Sequence, residues 1–350
     1  SGYFVNMSGG TIVVGEWTHI ALTKIGNTYT IYVNGVSVNT ASPSINAAWT
    51  FTRNKFTIGS IWNSTTFQGP LNGNIDEVRI WKKGLTQTEL RDWMCKKVTS
   101  THPQFSDLAH YYKLDEGTGT ALTDETGTNN TTTHANFGPA PTWVTSGAAI
   151  GDKSTYSYGS GNTTTVIETH ADGSNFNVNN FTGAPLGAHV YLVNDTMNST
   201  TNTLSGDLEQ TRYYGTFIVG GTSPKYTARY TYTGNTNLDG VSNESEIRFV
   251  KRANNSVTIW TTGSNEFDLS TTSNVITACG QTGNSEYAAG FDNTTLAQRP
   301  GSGYALDFSG SNDYVRVPHN ASLNLTAPFT ISLWVKATGT NNVVFLEKNQ

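Results

Sequence analysis

Paired carboxylates are the residues most able to do chemistry in a chain rich in Thr, Asn, Ser and Gly. Asp76-Glu77 and Asp115-Glu116 are adjacent pairs. Neighbours on a strand point to opposite faces, so neither pair sets an acid against a base across one substrate. Glu244-Ser-Glu246 does alternate, but it sits in Asn-rich turn sequence, and no Glu-x-Asp-x-x-Glu run occurs. The seven histidines are scattered without a ligand pair at helical or strand spacing. His19, in Trp17-Thr-His-Ile20, reads as a packing residue. The expectation is a chain without a catalytic centre.

Hard oxygen donors are more plentiful. Calcium needs roughly six to eight oxygens converging from loops. Candidate clusters are Asp124-Glu-Thr-Gly-Thr-Asn-Asn130, Asn235-Thr-Asn-Leu-Asp-Gly240 with Asn243 and Glu244, and Asp76 with the Asn312-Asp313 turn. The same residue types serve turns, which need left-handed backbone and local side-chain hydrogen bonds, so each cluster reads either as a cation site or as a loop. Tryptophans offer faces for sugar rings. Trp49 and Trp62 lie in loop-like sequence and are the candidates for an exposed glycan platform.

These residues must be positioned by strands. Asn27-Thr-Tyr-Thr-Ile-Tyr-Val33 alternates with period two, placing Tyr29, Ile31 and Val33 on one face. Asn34-Gly35 then supplies a two-residue hairpin turn, and Val36 and Val38 return on the second strand. Ile75 to Trp81 and Leu108 to Leu114 read as further strands. One helix is expected at Leu85-Thr-Gln-Thr-Glu-Leu-Arg-Asp-Trp-Met94, with Thr86 as cap, Glu89 completing a capping box and Leu85 stapled to Leu90. From about Ile150 to Pro300 a second set of strands is marked by Gly187 to Val193, Arg212 to Gly220, Tyr226 to Tyr232 and Glu246 to Arg252.

Trp17-Thr-His-Ile-Ala, Ile31-Tyr-Val-Asn-Gly35, Gly73 to Trp81, the capped helix, Leu306-Asp-Phe-Ser-Gly-Ser-Asn-Asp-Tyr-Val315 and Phe329-Thr-Ile-Ser-Leu-Trp334 together resemble the laminin-G-like jelly rolls of concanavalin-A-like type. The resemblance implies that Trp17, Trp81 and Trp334, which belong to these runs, are buried. The order is permuted, because that family places the Phe-Ser-Gly-Ser-Asn-Asp-Tyr strand before the Trp-Thr-His-Ile strand. The resemblance therefore implies residues 1–147 as the C-terminal part of one jelly roll and 301–350 as the N-terminal strands of another. Between them, 148–300 is read as an immunoglobulin-like β-sandwich, similar to modules found beside laminin-G-like domains in large repeat-containing surface adhesins of gliding Bacteroidota. The chain also begins with Ser1 rather than Met, which fits a window on a longer array. The resemblance implies structural Ca2+, for which Asp76, Asp124, Asn312 and Asp313 are the named ligands. It also draws attention to Asp195-Thr-Met197, which matches a short acceptor pattern for O-glycosylation at Thr196.

Composition fits that picture. Only 13% of the 350 residues are charged and the net charge is -5, so there is no basic stripe to hold a phosphate backbone, and nucleic acid is not an expected partner. No apolar run approaches the roughly 20 residues of a membrane span. Cys95 and Cys279, far apart, match no metal spacing. The expected fold is all-β: a jelly roll split across the chain ends, a second sandwich and one short helix. The expected function is a non-catalytic repeat segment of an extracellular or cell-surface adhesin or filament. Its partners would be copies of itself or adjacent repeats, joined head to tail by completion of the jelly roll, and surface glycans. The alternative is a carbohydrate-binding module of a secreted glycan-degrading enzyme.

Overall fold

In a computed structural model of the chain, the described residues are 8–42, 58–59, 61–62, 67–68, 71–127, 132–133, 142–262 and 267–292. Two compact units divide the chain, Ser1–Thr295 and Leu296–Gln350. All described residues belong to the first, so the strands expected within 301–350 lie outside them.

The N-terminal part begins with a three-stranded antiparallel sheet, β1 (Ile20–Ile25), β2 (Thr28–Val33) and β3 (Val36–Ala41), in the order β1-β2-β3. Asn34 and Gly35 take φ angles of 50° and 70°, the paired left-handed conformation that lets a two-residue turn follow the twist of its strands. The register on the β3 side shifts between Ile31 and Tyr32, leaving Val38 as the extra residue of a bulge. A short two-stranded ribbon follows, β4 (Ile61–Trp62) with β5 (Phe67–Gln68). Next, β6 (Val78–Trp81) pairs with β7 (Leu108–Tyr112), and β8 (Ala121–Leu122) with β9 (Thr132–Thr133).

Between β6 and β7 stands the one α-helix among the described residues, α1 (Gln87–Trp93). Its capping box is complete: the Thr86 hydroxyl accepts from the Glu89 amide at 3.2 Å, and the Glu89 carboxylate accepts from the Thr86 amide at 2.8 Å. Leu85 and Leu90 are buried together against Tyr32, with Ala21 and Trp81 at the margin. Asp76-Glu77 and Asp115-Glu116 lie just outside strands rather than within them. Glu77 and the nearby Leu114 have φ angles of 54° and 62°, in the left-handed region outside regular strand geometry.

The second part is a ten-stranded antiparallel sandwich. One sheet has the order β10 (Lys153–Tyr158), β13 (Gly187–Val193), β14 (Tyr213–Val219), β19 (Ser285–Phe291), β16 (Ile247–Arg252). The other has the order β11 (Val166–Thr169), β12 (Asn175–Thr182), β15 (Lys225–Thr231), β18 (Val275–Thr282), β17 (Phe267–Ser270). The expected all-β sandwich is present, with more strands than the seven to nine of immunoglobulin domains. Its core takes alternate residues of facing strands: Phe176 and Val178 from β12, Val190 and Leu192 from β13, Tyr226, Ala228 and Tyr230 from β15, Ile276 from β18 and Tyr287 from β19. Lys153 lies level with Leu192, Leu192 with Tyr214, and Tyr214 with Tyr287. Strand β10 therefore begins, and β19 finishes at Phe291, at the same end of the sheet.

Strand β13 is buried along both faces, which is why Gly187-Ala-His-Val-Tyr-Leu-Val193 reads as a nearly unbroken apolar run. Its inner residues meet the second sheet. On the outer face Tyr191 joins Phe217, Val219, Met94 and Cys95, with Val36 and Tyr158 at the margin. Helix α1 and the β2–β3 hairpin thus share a core with the sandwich. Both cysteines are free thiols; Cys95 is buried in this shared core, and burial pushes its thiol far above the usual range.

Candidate functional site

The sequence-predicted residues come to different ends. Asp124 is buried in a loop, where Oδ1 accepts from the amides of Tyr111 and Thr126 at 3.1 Å and from the Thr126 hydroxyl at 2.8 Å, while Oδ2 lies 2.7 Å from His110 Nδ1. With its lone pairs turned to these donors, this carboxylate pins a turn and does not fit a calcium ligand. Asp76 accepts from the Glu77 amide at 2.9 Å and from the Ser146 hydroxyl at 2.5 Å. Burial pushes its carboxyl up to about 6, with Glu77 and Asp115 adding to the rise and the Ser146 hydrogen bond opposing it. Among the described residues no group of three or more His, Cys, Asp or Glu is placed to hold a metal. Asn312 and Asp313 lie outside the described residues, as do Trp49 and the side chain of Trp62. In the Asn235–Gly240 loop, Asp239 accepts from the amide of Gly234 and the side chain of Asn274, and Asn235 donates to the Tyr230 hydroxyl. That loop takes the turn reading. Thr196 is exposed between β13 and β14, its amide bonded to Asp195 Oδ1 at 2.7 Å.

Trp17 and Trp81 are half-buried rather than fully buried. Trp81 lies between two small clusters of the N-terminal part, its ring centroid 4.4 Å from that of His102 with the planes tilted by 33°. Trp93 borders an open groove of about 380 Å³ between the helix end and the β10–β11 edge, beside Lys96, Lys97, Asp152, Lys153 and Glu168. Its ring is already engaged: the Lys96 ammonium sits 4.5 Å from the centroid and the His102 ring 4.6 Å away. The groove thus offers a sugar no bare aromatic face at Trp93.

Two arrangements were not legible in the sequence. One is a buried ion pair on the outer face of the β10-β13-β14-β19-β16 sheet. Arg252 Nε donates to Glu286 Oε2 at 2.6 Å, both side chains almost fully enclosed, and the guanidinium lies 4.2 Å from the Trp260 ring centroid and 5.0 Å from that of Tyr213. The remaining guanidinium donors reach Asn198, Asn255 and the Val257 carbonyl. The Tyr191 hydroxyl supplies a further hydrogen bond to Glu286 at 3.1 Å. Every charge is matched, as burial demands. This hub is structural, since both charged side chains are enclosed and committed to partners within the fold.

The other is the open face of the first sheet. Pairing sets Ile20 beside Val33 and Leu22 beside Ile31, with Lys24 beside Tyr29, so these six side chains share one face. Their alternates, Ala21, Thr23, Thr30 and Tyr32, share the opposite face, where Ala21 and Tyr32 meet the α1 cluster. The more apolar face is therefore the one turned away from the helix. Ile20 and Leu22 keep 55% and 53% of their surface in solvent. Adjacent to the sheet, Ile12, Val13 and Val14 are exposed as well. A single exposed Leu needs no explanation; here two exposed aliphatics share a sheet face with the half-buried Ile31 and Val33 and the buried Tyr29. The period-two signal was present in the sequence; the pairing register that gathers the residues was not.

Comparison with known proteins bears on this part of the chain. No curated protein matches it. A crystal structure of an S-layer domain-containing protein from Clostridium thermocellum matches at 29% identity with a TM-score of 0.21, covering 24% of this chain and 42% of that one. The chain thus spans less than half of that protein's resolved length. A family model, Laminin_G_3 of the concanavalin A-like lectin/glucanases superfamily, matches residues 1–91. The sheet with the open apolar face lies inside that match, and the N-terminal part of the chain is similar to a laminin-G-like domain.

Proposed function

We propose that this chain is a non-catalytic segment of an extracellular or cell-surface adhesin or filament, in which laminin-G-like and sandwich modules alternate and successive segments join head to tail. The face of β1–β3 turned away from α1 carries this reading: it bears Ile20, Leu22, Ile31 and Val33, and Ile20 and Leu22 each keep more than half of their surface exposed. The shared core at Cys95, Met94 and Tyr191 supports it in a second way, because it packs the helix end and the β2–β3 hairpin of one module onto the sandwich of the next. No helix among the described residues is long and apolar enough to cross a membrane.

Structural calcium belongs to the proposal only at Asp76 with Asn312 and Asp313, since Asp124 is committed to its turn. Titration calorimetry with Ca2+ against the Asp76→Asn variant tests that part. The carbohydrate-binding alternative draws on Trp49 and Trp62, and modification at Thr196 on its exposure. The central test is the solution mass of the chain across concentration, paired with a glycan array. Concentration-dependent growth beyond the monomer without glycan affinity is the expected result; a monomer that binds a defined glycan reverses the assignment in favour of the carbohydrate-binding module.

A further inference from the structure

We infer that Asn72 is a site of intramolecular deamidation, in which the Gly73 amide nitrogen attacks the Asn72 side chain, and that the fold shields the chain's other Asn-Gly pair from the same reaction. The inference is independent of the head-to-tail reading above.

The reaction needs only the dipeptide and water. The deprotonated Gly73 nitrogen bonds to Asn72 Cγ, the carboxamide nitrogen leaves as ammonia, and a five-membered succinimide ring closes. Water then opens the ring at either carbonyl. The product is an aspartate, or an isoaspartate whose main chain runs through the former side chain. Glycine favours closure because it has no Cβ to crowd the ring and the fewest backbone restrictions. Asn-Gly occurs twice, at Asn34-Gly35 and Asn72-Gly73. By sequence the two sites are equivalent.

Their surroundings are not. Ring closure requires the carboxamide carbon to swing over the next amide nitrogen. The Asn34 side chain is instead turned back to the neighbouring segment, where its Oδ1 accepts from the His19 amide at 2.9 Å, while its own amide donates to the His19 carbonyl at 2.8 Å. Gly35 is buried, and its carbonyl accepts from Gln87 and Arg91 of α1. Asn34 is fixed at a φ of 50° by the hairpin turn, so closing the ring there means breaking the turn.

Asn72 has none of these restraints. It lies between β5 and β6 in a stretch without regular structure, and Leu71, Asn72, Gly73, Asn74 and Ile75 are all exposed. Neither Asn72 nor Gly73 makes a hydrogen bond with another described residue. Among the described residues a Cβ placed on Gly73 would meet nothing nearer than the Leu71 side chain, at 3.9 Å. Backbone so loosely held reaches the cyclising geometry at little cost. Each conversion moves the formal net charge from -5 to -6, and the isoaspartate form also lengthens the main chain on its way to β6.

The full chain is held in mildly alkaline buffer, native and in urea, and both Asn-Gly peptides are followed over time by mass spectrometry. Isoaspartyl methyltransferase labelling marks the rearranged product. In the native chain Asn72 is expected to convert at least about tenfold faster than Asn34, a barrier difference of about 1.4 kcal/mol. In urea the two rates converge, because the hairpin that protects Asn34 is gone. Gly73→Ala, which the open loop accommodates, slows Asn72 and leaves Asn34 unchanged; an unaltered urea midpoint shows that this variant folds. Equal native rates at the two sites, or an Asn72 that converts in urea but not in the native chain, overturn the inference. So does a tenfold gap that persists in urea, which removes the fold as the cause, or a Gly73→Ala chain that converts as fast as the unmodified one, which removes the ring.

Discussion

The Tyr158 hydroxyl donates to the Asn34 backbone carbonyl at 2.8 Å, so a strand of the ten-stranded sandwich holds the hairpin turn of the N-terminal module. Helix α1 grips the same turn from the other side: Gln87 Nε2 and Arg91 Nε donate to the Gly35 carbonyl at 2.9 and 2.8 Å. Arg91 also stacks on the Tyr158 ring at 3.9 Å. Tyr158→Phe keeps that stacking and the apolar contacts but deletes the hydroxyl, leaving the Asn34 carbonyl and the buried His189 Nε2, which lies 2.9 Å from that hydroxyl, each one partner short. The expected loss is about 1 kcal/mol. Hydrogen exchange checks it: amides of 28–41 exchange faster, while those of β15 in the sandwich core are unchanged.

The Arg252–Glu286 pair gives a sharper contrast. Arg252→Met strands a carboxylate in a closed site and costs about 3–5 kcal/mol of stability. The double variant Arg252→Met with Glu286→Met removes both charges and loses far less. Urea midpoints of the two singles and the double, taken as a cycle, are expected to show strong positive coupling.

Gly215 has no room for any side chain. It faces Tyr191 across the β13–β14 pair, and a Cβ added there would lie 2.0 Å from a carbon of the Tyr191 ring. Gly215→Ala must displace the ring and with it the hydrogen bond to Glu286. A loss of about 3 kcal/mol is expected. Near-ultraviolet circular dichroism would register the moved tyrosine, and Ser in place of Ala gives no relief.

Two histidines make the joint acid-sensitive. Burial holds His189 neutral down to about 3, with His19, Arg91 and Lys96 adding repulsion to its charged form; His19 is lowered to about 4 by burial and Arg79. Unfolded, both titrate near 6.5. Below that pH the unfolded chain takes up protons that the folded chain refuses, so stability falls as pH drops from 6.5 toward 4. Asp76, raised by burial, works in the opposite direction between about 4 and 6, which makes a single pH profile ambiguous. The informative quantity is the difference between profiles: His189→Gln is expected to flatten the acid-side loss in urea midpoint relative to the unmodified chain.

Local rules carried the sequence reading a long way at particular residues. Thr86 and Glu89 form the capping box their spacing predicts, and Asn34-Gly35 makes the turn. The β13, β14, β15 and β16 segments fall within a residue of their expected bounds. What failed was everything that depends on partners distant in sequence. Asp124 read as a possible ligand because its neighbours are oxygen-rich, but its fate was decided by Tyr111 and His110 from β7. His189 and Tyr191 alternate with Val190 as a half-exposed strand would, yet their outward face is covered by α1 and the β2–β3 hairpin. Arg252 and Glu286 are 34 residues apart, and no local pattern announces that they meet in the interior.

The placement of β10 and β19 has a mechanical consequence. The chain enters the sandwich at Lys153 and leaves it at Phe291 from one end of a single sheet, with β13 and β14 between them. Tension on those two points does not run along the strands; it pries them apart from the shared end, one hydrogen-bonded pair after another, as a zipper opens. The hydrogen bonds from Tyr156 to Asp92 and from Tyr158 to Asn34 lie farther along β10, in its middle and at its far end, and tie the strand to the neighbouring module against the later steps of that opening. The opposite end of the sandwich, with the turns around 183–186, 220–224 and 282–284, stands clear of the stressed line and is free to meet a surface while the thread beside it is taut.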